Sequence, residues 1–451
     1  MKRPTHVYFI GIGGIGMSGL ARYYHRLGVR VSGYDKTETA LTKTLVAQGI
    51  RIDYHEAVDH LPEDIDLVVF TPAVPRNHPA FSYFRKRGLR PRKRAEILGR
   101  ISHTGRTLAV AGTHGKTTTS CLLAHLLHHG GIRAHAFLGG VAANFGSNYV
   151  PGDTDWVVVE ADEYDRSFLH LRPEAAVILS TDPDHLDIYG DAATIQREGY
   201  GAFARQVTDA LFVRTGLETD WPQGTPFGIE RGTHRAVDLR VSEGRFVFTY
   251  EAPELRLDDL SMRLPGRHNV ENAVAAITLA LYAGLDPSTV RGALATFRGI
   301  QRRFEYLHED DRTVYIDDYA HHPTELRAAI ETARALYPQR RITGVFQPHL
   351  YSRTRDFRDG FTQALDLLDE LWLLPIYPAR ELPIEGVRSE MLLVGLRHAD
   401  ARLLSPEAAV ATAKQRKPEV LLTLGAGDID RLREPLREVF AGGATTSGSC
   451  V

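Results

Sequence analysis

The 451-residue sequence holds only two cysteines, Cys121 and Cys450, too few for a disulfide framework. No uninterrupted apolar run reaches the roughly 18 residues that a membrane-crossing helix needs. Neither sign of charge dominates: 54 Lys and Arg face 56 Asp and Glu, for a net charge of −2. The broad basic field that nucleic acid or an anionic membrane surface would require is therefore missing, and any phosphate recognition must be local. The Lys2-Arg3 start runs into a glycine-rich turn rather than an apolar signal segment. These absences predict a cytoplasmic protein with no nucleic acid or membrane partner, and a monomer or homodimer is expected. Lysine is scarce as well. Eight lysines stand against 46 arginines, and between Lys93 and Lys414 there is a single one, Lys116.

What is present belongs to an ordinary globular protein: 43% hydrophobic and 24% charged residues, enough for several buried cores. At about 150 residues per domain the length suggests three domains. Short apolar runs alternate with helical stretches, beginning at Val7 to Ile10, Leu67 to Phe70, Thr107 to Ala111 and Trp156 to Val159, the pattern of βαβ units around parallel sheets. From about Thr208 to Leu264 the pattern changes to alternation, which predicts a small antiparallel insertion. The expected class is α/β in three domains: a Rossmann-like domain over 1–104, a central P-loop ATPase-like parallel sheet with that insertion over 105–299, and a second Rossmann-like domain over 300–451.

Three groups of motifs carry chemistry. Gly11-Ile-Gly13-Gly14-Ile15-Gly16 follows a strand and opens a helix, with Asp35 ending the next strand. Glycines allow the backbone to approach a diphosphate, helix N–H groups face it, and Asp35 can accept from a ribose hydroxyl. A nicotinamide or flavin nucleotide and a sugar nucleotide both satisfy this pattern. The second group is Gly112-Thr113-His114-Gly115-Lys116-Thr117-Thr118, a phosphate loop shortened relative to the Walker pattern because Val110 stands where that pattern has glycine. An ammonium on a flexible stem suits β and γ phosphates in a way an arginine fork does not, which gives a chemical reason for a lysine here. The Thr117 hydroxyl suits magnesium, and the acids Glu160, Asp162, Glu163 and Asp165 follow the next strand, with His185 after another. His268, Asn269 and Asn272 open a later helix, where the amides can read an adenine edge or simply cap.

The third group lies in the last 150 or so residues. Arg303, in Arg302-Arg-Phe-Glu305, could meet a transferred phosphate or be a solvated linker arginine. Asp317-Asp318-Tyr319-Ala-His321-His-Pro323 and Gln347-Pro-His349-Leu-Tyr-Ser-Arg353 each follow a strand end. They join acids, imidazoles and a guanidinium suited to a small zwitterion, with Arg353 for its carboxylate.

Together these motifs, with Thr71-Pro-Ala-Val-Pro75, Phe137-Leu-Gly139-Gly140 and Gly425-Ala-Gly427, closely resemble the Mur ligase family along almost the whole chain. The resemblance implies that the first domain holds UDP-N-acetylmuramate, which resolves the first glycine motif as a UDP site. It places ATP with Mg2+ or Mn2+ in the second domain and L-alanine in the third. ATP would phosphorylate the lactyl carboxylate, the alanine amine would attack the acyl phosphate, and phosphate would leave. By resemblance Gly13, Gly14, Ile15, Gly16, Asp35, Thr71, Gly139, Gly140, Tyr319 and Arg353 would contact substrate. Gly112 to Thr118, His268, Asn269, Asn272 and Asp318 would hold the nucleotide, and Thr117, Glu160 and His185 the metal. Lys116, Glu160, His185, Arg303, His321 and His349 would carry catalysis.

Two departures from the family pattern bear on the assignment, the first against the later-acting members and the second leaving carboxylate recognition to Arg353. Members that add later residues use a carbamoylated lysine after the Asp-His pair, and no lysine exists there. Leu350 occupies a place where some alanine-adding members have arginine. A tripeptide-attaching branch of the family and, from another class, an NAD-dependent dehydrogenase are the alternatives; the dehydrogenase leaves Lys116, Glu160 and Arg303 unexplained.

Overall fold

The computed structural model describes residues 3–58, 61–184, 186–217, 221, 223–242, 245–379, 381–397 and 400–441. Its architecture is mixed α/β, built on three sheets. The chain forms two compact units, Met1–Arg240 with Val247–Arg263 and Asn269–Gly299, and Ile300–Val451 with Val241–Phe246 and Leu264–His268. The first two sheets thus share one unit.

The first sheet orders its five parallel strands Arg51–Asp53, Arg30–Tyr34, His6–Ile10, Leu67–Phe70 and Arg92–Lys93. Strand order reverses direction between His6–Ile10 and Leu67–Phe70, the switch point where a ligand crevice opens at the carboxyl ends of the strands. Every residue of HVYFI is buried, as expected of a strand covered on both faces.

The second sheet has ten strands. At its centre Arg106–Ala111 pairs in parallel with Ala175–Ile178 on one side and Trp156–Ala161 on the other. His135–Ala142 extends this array in parallel, and Ser147–Val150 closes that edge antiparallel. On the other flank Ala210–Arg214, Gly224–Ile229 and His234–Ser242 continue in parallel pairings, so the parallel array reaches into the span whose alternation suggested an insertion. Arg245–Ala252 and Leu255–Met262 finish the sheet.

The third sheet orders Glu305–Glu309, Val314–Asp318, Val420–Leu424, Ile342–Phe346, Glu370–Leu373 and Asp400–Leu403. Only the edge strand Glu305–Glu309 runs antiparallel. In all three sheets the chemistry-bearing loops leave the carboxyl ends of buried parallel strands. Gly11 follows Ile10, Gly112 follows Ala111, Gln347 follows Phe346 and Gly425 follows Leu424. Among the described residues no helix is long and apolar enough to cross a membrane.

Candidate active site

The phosphate loop takes its shape from two glycines in the left-handed region. Gly112 has φ +136°, and a Cβ there would lie 2.9 Å from the Ser180 amide nitrogen; Gly115 has φ +82°, and its Cβ would lie 2.5 Å from Asn272 Oδ1. Neither position admits a side chain without displacement of its neighbour. The loop is braced from the adjacent strand end. Thr113 N–H donates to Ser180 O (3.2 Å), His114 N–H to Ser180 Oγ (2.8 Å), and the Thr113 hydroxyl to Asp182 O (2.8 Å). The Tyr200 hydroxyl lies 3.1 Å from Thr113 Oγ1. His114 Nε2 is 3.2 Å from an Asp182 oxygen. Thr118 is buried within the helix Lys116–His129 that leaves the loop.

Lys116 Nζ folds back over this loop, donating to Gly112 O (2.7 Å) and to both oxygens of Glu163 (2.7 and 3.0 Å). Burial opposes the ammonium charge, but Glu163, backed by Asp162 and Glu160, outweighs it and holds the Lys116 pKa above the usual lysine value. The lysine is a fixed cation, and Glu163, with a side chain 1% exposed, is its resting counter-ion. Beside it, Glu160 accepts from the Thr117 hydroxyl (3.2 Å) and from Gly139 N–H (3.0 Å). A Cβ on Gly139 would lie 2.3 Å from both Glu160 oxygens, so glycine at 139 makes room for that carboxylate. Gly140 follows, half-buried in the same strand.

The run of four acids therefore divides its work: Glu160 faces Thr117 and Glu163 faces Lys116. Asp165 receives Lys93 Nζ (2.7 Å), and Asp162 lies 3.8 Å from an Arg94 nitrogen. His185 lies outside the described residues. Asn269 and Asn272 are buried, 4% and 7% exposed, and Asn272 Nδ2 donates to Asn269 Oδ1 (3.2 Å). Asn272 thus stands against the phosphate loop at Gly115.

In the first domain Gly11, at φ +86°, lies so close to Thr71 that a Cβ would be 2.7 Å from its Cγ2, which joins the two loops of the switch point. Asp35 accepts from the Gly13 amide (2.7 Å) and from Thr37 N–H (3.2 Å). The carboxylate expected to face a ribose is thus engaged in holding the glycine turn. Gly14 precedes the helix Ile15–Arg26 as its extended cap, Ile15 is 37% exposed, and Gly16 faces the Arg94 side chain.

The second unit gathers the remaining candidates. Asp318 accepts from Phe304 N–H (2.7 Å) and Ala320 N–H (2.8 Å). Surrounding protein raises its carboxyl pKa to about 6, with Arg303 opposing. Arg303 lies 3.9 Å from a Glu325 oxygen, and its guanidinium is 5.2 Å from the centre of the Tyr319 ring, the reach of a cation–π contact. His321 Nδ1 is 3.0 Å from Tyr319 O and 3.2 Å from a Glu325 oxygen. Burial lowers the His321 pKa, with Glu325 opposing and Arg353 reinforcing. The His321 and His349 rings are 5.9 Å apart edge-on, and His349 stacks on Tyr377 at 5.7 Å. Arg353 Nη1 is 3.3 Å from His349 Nδ1. Arg303, Tyr319, His321, His349 and Arg353 are thereby brought into one cluster. His268, exposed at the start of the helix Arg267–Tyr282, groups with this unit, while Asn269 and Asn272 of that helix group with the other.

Some of these contributors have no local mark in the sequence. Tyr200 ends the π-helical turn Ile195–Tyr200, which a 3.6-residue periodicity cannot detect. Ser180 and Tyr377 each directly follow an apolar run. Leu350 adopts φ +72°, a strained value for a branched-chain residue that sets the turn between His349 and Arg353.

Three family models match in succession: the Mur ligase family catalytic domain at residues 6–106, the Mur ligase middle domain at 110–280, and the Mur ligase glutamate ligase domain at 302–427. The chain is 45% identical over 447 residues to the UDP-N-acetylmuramate–L-alanine ligase of Flavobacterium johnsoniae, covering 98% of this chain and 99% of that protein. It is 45% identical to the ligase of the same name from Porphyromonas gingivalis, covering 97% and 99%. The crystal structure of UDP-N-acetylmuramate-alanine ligase from Thermotoga maritima superimposes with a TM-score of 0.83 at 31% identity, over 97% of this chain and 99% of that one. A murein peptide ligase from Psychrobacter arcticus shares the fold, with a TM-score of 0.70 at 23% identity. With identity this high from end to end and the family's three domains matched in order, the chain belongs to the Mur ligase family.

Proposed function

We propose that this protein joins L-alanine to the lactyl carboxylate of UDP-N-acetylmuramate at the expense of ATP, a step of peptidoglycan precursor synthesis. The observation that carries the reading is the 45% identity, over 98% of the chain, to a ligase named for those two substrates. In this reading residues 1–104 hold the UDP portion, 105–299 hold ATP, and 300–451 hold the amino acid.

The chemistry divides accordingly. A carboxylate oxygen of the muramoyl group attacks the γ phosphorus and ADP departs. The alanine amine then adds to the acyl carbon, and the tetrahedral intermediate expels phosphate with that oxygen. Phosphoryl transfer needs charge neutralisation more than covalent help. Lys116, cationic at any working pH, exchanges Glu163 and the Gly112 carbonyl for phosphate oxygens, and the loop amides complete the cradle. Arg303 is assigned to the γ phosphate, Asp318 to the ribose, and His268, Asn269 and Asn272 to the adenosine side.

A divalent cation fits the Thr117–Glu160 pair. Both are hard oxygen donors, adjacent, with Gly139 leaving the space, a pair that suits magnesium, which takes few protein ligands beside waters and phosphate oxygens. When bound, it would neutralise phosphate charge. His185 is assigned to the same ion from the family resemblance.

On the amino acid side, His321 donates Nδ1–H toward Tyr319 O, which leaves Nε2 as an acceptor. A depressed pKa keeps it neutral, free to accept the proton that the amine nitrogen sheds as it adds to the acyl carbon. Arg353 and His349 are assigned to the carboxylate.

Purified protein supplied with ATP, magnesium and UDP-N-acetylmuramate tests the reading by phosphate release across L-alanine, L-serine, glycine and a murein tripeptide. L-alanine is expected to give the highest kcat/KM. Release with the tripeptide alone would transfer the chain to the tripeptide-attaching branch.

A further inference from the structure

Arg94 has no assigned role, and its surroundings give it one. It opens the helix Arg94–Ser102, and its guanidinium lies against Gly16, in the first turn of the helix that leaves the glycine loop. A Cβ placed on Gly16 would be 2.7 Å from Arg94 Nη1, 2.9 Å from Cδ and 3.1 Å from Cζ. A side chain at position 16 would displace the Arg94 guanidinium from where it now lies. Asp162 Oδ2 lies 3.8 Å from an Arg94 guanidinium nitrogen. At that distance the acid orients the charge without occupying the five-donor fork. Asp162 is itself fixed, accepting from Tyr164 N–H at 3.2 Å.

The structure around this pair is built to keep it in place. Lys93 grips Asp165 at 2.7 Å, and Asp165 and Arg166 both adopt left-handed φ, +52° and +55°, a costly pair of conformations for residues with side chains. Gly99 lets the carbonyl of His170 approach to 2.5 Å of where its Cβ would be. The Arg94 helix is thus held against segment 162–170, with its guanidinium beside Gly16.

We propose that Arg94 binds the diphosphate of the nucleoside diphosphate sugar, as the cation that complements the backbone amides of the Gly11–Gly16 loop. The inference rests on the reading that residues 1–104 hold such a sugar nucleotide. A planar fork beside a diphosphate gives paired charge-assisted hydrogen bonds, and the glycine turn otherwise supplies only neutral donors. An arginine serving only as a tie between two segments would affect every ligand of the domain alike, whereas one that touches phosphate discriminates by charge.

The test is calorimetric titration of the full-length protein with UDP, UMP and uridine. Arg94→Ala is expected to weaken UDP by about 10-fold to 100-fold, the range for a hydrogen bond to a charged group, while leaving uridine unchanged. Arg94→Lys should fall between, since it keeps the charge and loses the fork. In turnover, the KM for the sugar nucleotide should rise and that for ATP should not. Unchanged UDP affinity in Arg94→Ala, or equal losses for UDP and uridine, would overturn the assignment. If the unaltered protein binds UDP no better than uridine, the sugar-nucleotide reading itself fails and this assignment with it.

Discussion

Lys116 shows how far chemistry at one residue can be read before any fold is known. An arginine-rich chain that keeps one lysine across three hundred positions, inside a glycine loop, points to a phosphate-binding ammonium by its departure from the chain's own habit. The resting partner was not legible, because four acids in six residues offer four candidates and only the fold selects Glu163. That partner shapes the prediction. Lys116→Ala should abolish ligation, and because Glu163 would be left buried without its cation, it should also cost about 3 kcal/mol of stability. Adding Glu163→Gln should restore much of the stability, measured by chemical denaturation, and none of the activity. Lys116→Arg, which keeps the charge, should still lose roughly 100-fold in kcat, the scale of a misplaced transition-state donor. Near-normal turnover in Lys116→Arg would contradict the argument from lysine geometry. Asp35 teaches the converse. Its position after a strand was legible, whereas the bond its carboxylate accepts from the Gly13 amide at 2.7 Å was not, since spacing alone does not show which donors a carboxylate meets.

At the scale of elements, the parallel strands were legible because burial on both faces writes them as unbroken apolar runs, Val7 to Ile10 and Thr107 to Ala111 among them. Their carboxyl ends then locate the loops that carry chemistry. The flank after residue 208 was harder. Ala210–Arg214 and Gly224–Ile229 pair in parallel, yet polar and glycine-containing sequence there reads as alternation. The π-helical turn that delivers Tyr200 and the left-handed pair Asp165 and Arg166 leave no periodic trace, since their conformations are imposed by packing and ion pairs. The phosphate loop supplies the prediction at this scale. Gly115→Ala forces a side chain into φ +82° and toward Asn272 Oδ1. It should lower stability by about 2 kcal/mol and weaken ATP by at least about 10-fold. Asn272→Ala in the same background relieves the contact but not the backbone strain, so it should recover only part of the loss in thermal denaturation. Full recovery would show that φ is not the limiting factor.

For the whole molecule, three α/β domains were legible from length and from three sets of βαβ runs, but not the pairing of two sheets in one compact unit. That pairing rests on contacts far apart in sequence. Asn148 of the second sheet donates to Ser18 Oγ at 2.9 Å and to Ile15 O in the glycine-loop helix, and Arg22 donates to Asn148. The substrate's carboxylate must meet ATP within the chemistry proposed, and the decisive claim is that it does so covalently. UDP-N-acetylmuramate carrying 18O in both lactyl carboxylate oxygens, turned over with ATP, magnesium and L-alanine, tests this by mass spectrometry of the released phosphate. An acyl phosphate predicts one 18O in each phosphate and one retained in the new amide. Phosphate free of label, with amide formed at the same rate, would contradict the mechanism.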